Sequence, residues 1–287
     1  MLKFAVIGHP LTQSLSAVMH NAMLQALSLE GTYELLDTES EDLVSRVKQL
    51  KSQGYTGFNV TIPHKVPITL FLDEFDKSAD IAGCANTVKI MPDKSLCGYN
   101  TDIYGFQTAI PAETQNELKG RTVSILGTGG AARAAAIALS QIGVGQINFY
   151  ARNIINASAM VNFLREKFPD IKFSLKQMQS LRDLSDSAML VNSTPIGMRG
   201  KAMGTSPIDE SIIKTLPKTE GFTASVYDIV YNPLKTEFLK LAQNNGYKTI
   251  TGLDMFVHQG AKAFEIWTGQ KAKPDVMKIA ALEALAE

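Results

Sequence analysis

The segment TVSILGTGGAAR, residues 122–133, restricts the possible folds of this chain more than any other. It reads as a short apolar strand, a glycine-rich turn and an alanine-rich helix in succession. That succession opens a nucleotide-binding unit, and here it lies near the middle of 287 residues. Everything before it must therefore build a separate structure. Two domains facing one another leave a cleft where substrate can meet a dinucleotide, and the chemistry is expected ahead of the glycine turn.

Gly127, Thr128, Gly129, Gly130, Ala131 and Ala132 match the G-x-G-x-x-G/A spacing, with alanine in the last place. Gly127 lets the backbone turn off the strand, Gly129 leaves room for a pyrophosphate against the main chain, and Ala132 permits close packing of helix on strand. Free N–H groups and the positive dipole end at the helix start suit phosphates. Plain tight turns share this pattern, so context matters. It comes from Ile147-Asn148-Phe149-Tyr150, a second strand ending at Ala151-Arg152, about 20 residues past the glycines. A carboxylate there would hold a ribose 2′-hydroxyl, whereas a guanidinium suits a 2′-phosphate. Asn153, Ile154, Ile155 and Asn156 bring no acid to the place. NADP is therefore expected, the bland alternative being that Arg152 is a solvated surface cation.

Composition is that of a soluble globular enzyme, with 45% hydrophobic and 20% charged residues. Lys plus Arg and Asp plus Glu are equal at 28 each, so no net field draws the chain to nucleic acid or an anionic membrane. MLKFAVIGHP is too short an apolar start for a signal peptide, and no apolar run reaches the ~18 residues of a membrane span. A cytoplasmic location follows as the expectation. Cys84 and Cys97 lack a C-x-x-C spacing, and His9, His20, His64 and His258 are scattered, so no metal site is expected.

Strands and helices alternate along the chain, which predicts an α/β fold twice over. Before the glycine turn, strands are expected near 3–7, 33–37, 57–61, 86–91 and 96–100, with helices near 17–29, 40–53 and 102–110. Beyond it come a helix near 156–168, strands at 189–192 and 225–231, and two amphipathic helices from about 254 to 287.

Phe58-Asn59-Val60-Thr61-Ile62 runs into Pro63-His64-Lys65, and the proline must end the strand, projecting a lysine at its carboxyl end. Open α/β sheets bind ligands at that end. Asn86 at the start of one strand, then Asn100 and Asp102 at the end of the next, add two amides and a carboxylate. Each also has a plainer reading: Lys65 as a solvated loop lysine, Asp102 as a helix cap, the asparagines as turn residues. Ser14 and Ser16 lie in a polar loop feeding a helix, with Ser16 placed as its N-cap, and two hydroxyls at a helix start also suit a carboxylate. Tyr231 and Lys235 have a Y-x-x-x-K spacing, but Pro233 between them breaks the helix that such a pair needs.

The blocks GHPLTQSLSAVMHNAM, FNVTIPHK, AGCANTV, YNTD, LGTGGAAR, NSTPIGM, YNPLKT and GLDMFVHQGAKAFEIWTG, in this order, resemble the shikimate and quinate/shikimate dehydrogenase family. The resemblance implies an N-terminal α/β substrate domain, an inserted Rossmann-type NADP-binding domain and C-terminal helices that return to the first. The boundaries implied are 1–103 with 252–287 for the first domain and 104–251 for the second. It implies reversible NADPH-dependent reduction of 3-dehydroshikimate to shikimate, with Lys65 and Asp102 as the catalytic pair. Ser14, Ser16, Thr61, Asn86, Asp102, Tyr231 and Gln259 would hold the substrate. Gly127, Thr128, Gly129, Gly130, Ala131, Arg152, Thr194, Ile229, Gly252 and Met255 would line the cofactor. Gln13 and Ala17 depart from the family's His-Ser-x-Ser-Pro block, which keeps an NAD-using quinate dehydrogenase as the alternative. A non-catalytic dinucleotide-binding regulator is the second one. The expected partner is a small molecule, in a monomer or homodimer.

Overall fold

The computed structural model describes residues 1–12 and 14–286, so Gln13 lies outside the described residues. The chain divides into two compact units, Met1–Gly105 with Val257–Glu287, and Phe106–Phe256.

In the first unit, β1 (Leu2–Gly8), β2 (Gly31–Asp37), β3 (Gly57–Val60), β4 (Glu74–Phe75), β5 (Thr87–Ile90) and β6 (Leu96–Tyr99) form a six-stranded sheet in the order β2-β1-β3-β5-β6-β4. β1 pairs parallel to β2 and β3, whereas β5 runs antiparallel to both β3 and β6. Helices α1 (Ser16–Ala26), α2 (Leu43–Ser52) and α3 (Lys77–Ala82) lie between its strands, and α4 (Thr101–Ala109) follows β6. Alternation along β1 divides its side chains between two layers. Ala5 and Ile7 join Leu43, Val47 and Leu50 of α2 in one core, while Phe4 stacks on Trp267 at 4.9 Å on the other face.

The second unit carries β7 (Thr122–Leu126), β8 (Gln146–Ala151), β9 (Lys172–Gln177), β10 (Ser187–Asn192), a small hairpin β11 (Lys218–Thr219) and β12 (Phe222–Thr223), then β13 (Ser225–Asp228) and β14 (Lys248–Thr251). Its helices are α5 (Ala112–Leu118), α6 (Gly130–Ile142), α7 (Ile154–Lys167), α8 (Glu210–Ile213) and α9 (Glu237–Asn244). The main sheet runs β14-β13-β10-β7-β8-β9 and is parallel throughout. Strand order therefore reverses at β7 and β10, the doubly wound arrangement in which ligands lie beyond the carboxyl ends at the switch point. Most alanines of α6 are buried, and their small side chains bring that helix close to the sheet. Finally α10 (Gly252–Thr268) and α11 (Pro274–Ala286) end the chain, with α11 packed along α1 in the first unit.

Three local expectations change. Ser16 is the first residue of α1 and not its N-cap; Leu15 holds that place, and the Ser16 hydroxyl accepts from the Ser14 hydroxyl at 3.2 Å instead. Asp102 lies inside the first turn of α4, one residue past its start, so it does not cap that helix. The strand expected over 225–231 stops at Asp228, because the Val230 N–H turns back to the Asp228 carboxylate and takes no place in a ladder.

Candidate active site

β3 delivers the lysine. All four of its residues are buried, and Thr61 extends the ladder by one bond, its N–H donating to the Ile7 carbonyl at 2.9 Å. A cis Ile62–Pro63 peptide then turns the chain. His64 is buried beyond it with Nε2 2.7 Å from the Thr38 carbonyl, and the Ala85 N–H donates to the Lys65 carbonyl at 2.9 Å. With the backbone held on both sides, Lys65 Nζ lies 2.5 Å from Asp102 Oδ2. Both side chains are largely withdrawn from solvent, at 18% and 10% exposure. The carboxylate also sits at the positive end of the α4 dipole, which favours its charge.

Asn86 holds the other carboxylate oxygen. Its Oδ1 accepts from the Thr101 N–H at 2.7 Å, which fixes the amide so that Nδ2 donates to Asp102 Oδ1 at 2.8 Å. Gln259 from α10 brings Oε1 to 3.4 Å from the same Nδ2. Lys65, Asn86, Asp102 and Gln259 thus converge, four residues that the sequence scatters over most of its length.

A second set of polar groups extends from this cluster. The Thr87 hydroxyl donates to Asn86 Oδ1 at 3.0 Å, Asn59 Nδ2 donates to Thr87 Oγ1 at 2.9 Å, and the Tyr33 hydroxyl donates to Asn59 Oδ1 at 2.7 Å. Burial pushes the Tyr33 phenol well up, so it stays neutral. Ser14 Oγ donates to Ser16 Oγ at 3.2 Å. A hydrogen-bonded path therefore joins Tyr33 to the lysine–aspartate pair, and the two serines bond to each other. Tyr33, Asn59 and Thr87 were not among the sequence candidates; an asparagine inside the apolar run Phe58-Asn59-Val60 was the signal that could have found one of them. Asn100 departs from expectation, since its Nδ2 donates to the Cys84 carbonyl at 3.2 Å and the residue is buried as structural support. Tyr231 belongs to the second unit, where its ring stacks on Phe256 at 4.2 Å.

At the carboxyl ends of the second sheet, Gly127 has φ +99°, and a Cβ on it would lie 2.8 Å from Ser193 Oγ, so glycine is required where β7 and β10 diverge. Gly129 is the N-cap of α6 with no side chain capping the helix, and the space around its Cα is open. Those free N–H groups and that room fit a pyrophosphate. Arg152 is exposed at the end of β8, where it can meet a 2′-phosphate. Thr194 is tied to Asn192 through its N–H and hydroxyl, at 3.0 and 2.7 Å. A Cβ on Gly252 would lie 2.0 Å from the Ile229 carbonyl oxygen, so this glycine lets α10 start against the turn after β13, with Met255 buried one turn on.

Among the described residues, no group of three or more His, Cys, Asp and Glu side chains could hold a metal ion, and no helix is long and apolar enough to cross a membrane.

A doubly wound dinucleotide-type unit, on a chain that also pairs a lysine with a carboxylate at strand ends of a second α/β unit, defines an oxidoreductase class. Residues 6–88 match the shikimate dehydrogenase substrate binding domain, and residues 252–282 match the shikimate 5′-dehydrogenase C-terminal domain. Shikimate dehydrogenase (NADP(+)) of Caldanaerobacter subterraneus subsp. tengcongensis is 37% identical over 93% of this chain and 91% of its own length. The protein of that name from Lysinibacillus sphaericus is 41% identical over 93% and 92%. Among solved structures, a shikimate dehydrogenase in complex with NADP+ superposes with a TM-score of 0.88 at 35% identity, covering 100% of this chain and 96% of that one. The Thermus thermophilus enzyme in complex with NADP(H) and shikimate gives 0.82 at 36% identity, covering 99% and 100%. Quinate dehydrogenase from Corynebacterium glutamicum in complex with NAD gives 0.88 at 28%, covering 98% and 99%. The chain belongs to the shikimate dehydrogenase family.

Proposed function

We propose that the protein catalyses the reversible, NADP-dependent reduction of 3-dehydroshikimate to shikimate, with Lys65 and Asp102 as the working pair. The observation that carries this reading is the Lys65 Nζ to Asp102 Oδ2 contact of 2.5 Å, with Asn86 on the second carboxylate oxygen. Bound NADPH would supply a hydride for the carbonyl carbon. Negative charge then builds on the substrate oxygen, and Lys65 gives that oxygen a proton; in the reverse direction the same nitrogen receives it. Asp102 and Asn86 orient the lysine and accept from, or donate to, the neighbouring ring hydroxyls. Ser14 and Ser16 offer hydroxyl donors to the substrate carboxylate, and Thr61, Gln259 and Tyr231 contribute further polar contacts. Gly127 to Ala131, with Thr194, Ile229, Gly252 and Met255, line the cofactor, and Arg152 selects the 2′-phosphate. Metabolically the step belongs to aromatic amino-acid synthesis by way of chorismate.

The unit Met1–Gly105 with Val257–Glu287 is then the substrate-binding one, and Phe106–Phe256 the NADP-binding one. A cytoplasmic enzyme, monomeric or homodimeric, with no nucleic-acid partner fits the balance of 28 basic and 28 acidic residues. The quinate and NAD alternative is the weaker reading, since no acid follows β8 to hold a 2′-hydroxyl and the curated relatives are named for NADP(+). A silent regulator would not need the ammonium of Lys65 set against Asp102.

The test is steady-state kinetics of Lys65→Ala with shikimate and NADP+, followed by cofactor absorbance. Loss of the proton carrier lowers kcat by roughly a hundred- to ten-thousandfold, with a much smaller change in KM. An unchanged kcat with a raised KM rejects the role.

A further inference from the structure

A buried carboxylate at the switch-point end of the second sheet has no part in the chemistry above. Asp228, the last residue of β13, is 0% exposed, and so is Asn192, its register partner at the end of β10. Among the described residues its hydrogen-bond partners are all neutral: Asn192 Nδ2 donates to Oδ1 at 2.9 Å, the Val230 N–H to Oδ1 at 3.1 Å, and the Thr236 hydroxyl to Oδ2 at 2.6 Å. Two N–H donors on one oxygen are an arrangement made for the anion. Burying an anion among neutral partners is costly, and a cheaper way to join two strand ends is a backbone ladder, which β10 and β13 already have.

What the carboxylate adds is reach beyond the ladder. Asn192 Oδ1 accepts from the N–H and hydroxyl of Thr194, and its Nδ2 also donates to the Ile196 carbonyl at 3.2 Å. The Ile229 N–H donates to the Asn192 carbonyl at 3.0 Å, and Thr236 Oγ1 accepts from the Leu239 N–H at 3.3 Å, starting α9. One carboxylate thus ties down the turn after β10 and both ends of the segment from Ile229 to Thr236.

We propose that Asp228 is a positioning residue for the cofactor: it draws Asn192, the Val230 amide and Thr236 onto one point, and so sets together the turn that presents Thr194 and the turn that presents Ile229 and Tyr231. The inference rests on the reading of Thr194 and Ile229 as cofactor-lining residues. Asp228→Asn keeps an oxygen for Asn192 and Val230 but turns a new N–H pair toward Thr236. Asn192→Ala leaves the carboxylate in place and cuts its link to Thr194. Calorimetric titration of the full-length chain with NADP+ reads the effect without turnover, and thermal melting of the free protein reads stability.

Both variants bind NADP+ about tenfold more weakly or worse. Asp228→Asn melts no lower than the parent at pH 8, since a buried charge has been removed. A latch that only held the fold together would lower the melting temperature and leave the affinity of the folded protein unchanged. NADP+ affinities within about twofold of the parent in both variants would falsify the proposal. A parent chain that binds no NADP+ overturns the cofactor reading itself and this inference with it, so the two failures are told apart by the parent titration.

Discussion

Burial shifts the titration of two side chains in opposite senses, and the magnitudes decide how the protein meets acid. His20 is fully enclosed, stacked on Tyr33 at 4.3 Å, and burial lowers its imidazole to about 3. An unfolded histidine takes up a proton near 6.5. Below that pH the unfolded chain binds the extra proton, so stability falls as the medium is acidified, by about 2 kcal/mol between pH 7 and pH 5. Burial pushes the Asp228 carboxyl up to about 6, against a value near 3.9 when unfolded. Here the folded chain binds the extra proton between those values, so stability rises on acidification, by about 1 kcal/mol over the same interval. Of these two buried groups the histidine has the larger effect over the interval. Asp228→Asn removes the opposing carboxyl response, so it weakens more steeply toward acid than the parent, which urea unfolding at pH 7 and pH 5 measures. Lys65 and Asp102 were legible at this scale because Pro63 stops a strand beside one and a helix begins beside the other. Tyr33 and Asn59 were not. They are separated by 26 positions, and only the insertion of β1 between β2 and β3 brings their side chains together.

At the scale of elements, the start of α10 shows how little freedom the second unit leaves around the turn after β13. Gly252→Ala would put a methyl carbon 2.0 Å from the Ile229 carbonyl oxygen and 2.5 Å from its carbon, both backbone atoms that no rotamer can move. The variant loses about 3 kcal/mol of stability in denaturant unfolding and weakens NADP+ binding with it. A loss within experimental error would show that the helix start can shift freely. The strand–turn–helix at 122–142 was readable because its glycines and alanines are demanded by local geometry, and the apolar run of β7 is demanded by burial on both faces. Elements such as β9, α9 and β14 gave no such sign. β9 and β14 lie at the two edges of the sheet with exposed residues among their buried ones, so their periodicity is diluted. Ser16 shows the same limit at a helix end: its residue type suits a cap, but it is the first helical residue and its hydroxyl bonds to Ser14.

For the whole molecule, two compact units imply two stabilities that ligands address separately. The only tryptophan, Trp267, packs on Phe4 and donates Nε1 to the Val88 carbonyl at 2.9 Å, all within the first unit, so its fluorescence follows that unit alone. Circular dichroism follows both. NADP+ at about a hundred times its dissociation constant adds about 2.7 kcal/mol to the unit that binds it. In a denaturant titration the dichroism transition then moves further than the fluorescence transition, and equal shifts would mean that the units unfold as one. The sequence by itself determined the α/β class and the glycine turn and brought forward the lysine and the aspartate, because each depends on local rules of chain geometry or on residue type at a strand or helix end. Only the tertiary structure decided which polar groups meet. The path from Tyr33 through Asn59, Thr87 and Asn86 to Asp102, and the knot of Asn192, Thr236 and Asp228, depend on strand order and register, and those are set by packing between segments far apart in the chain.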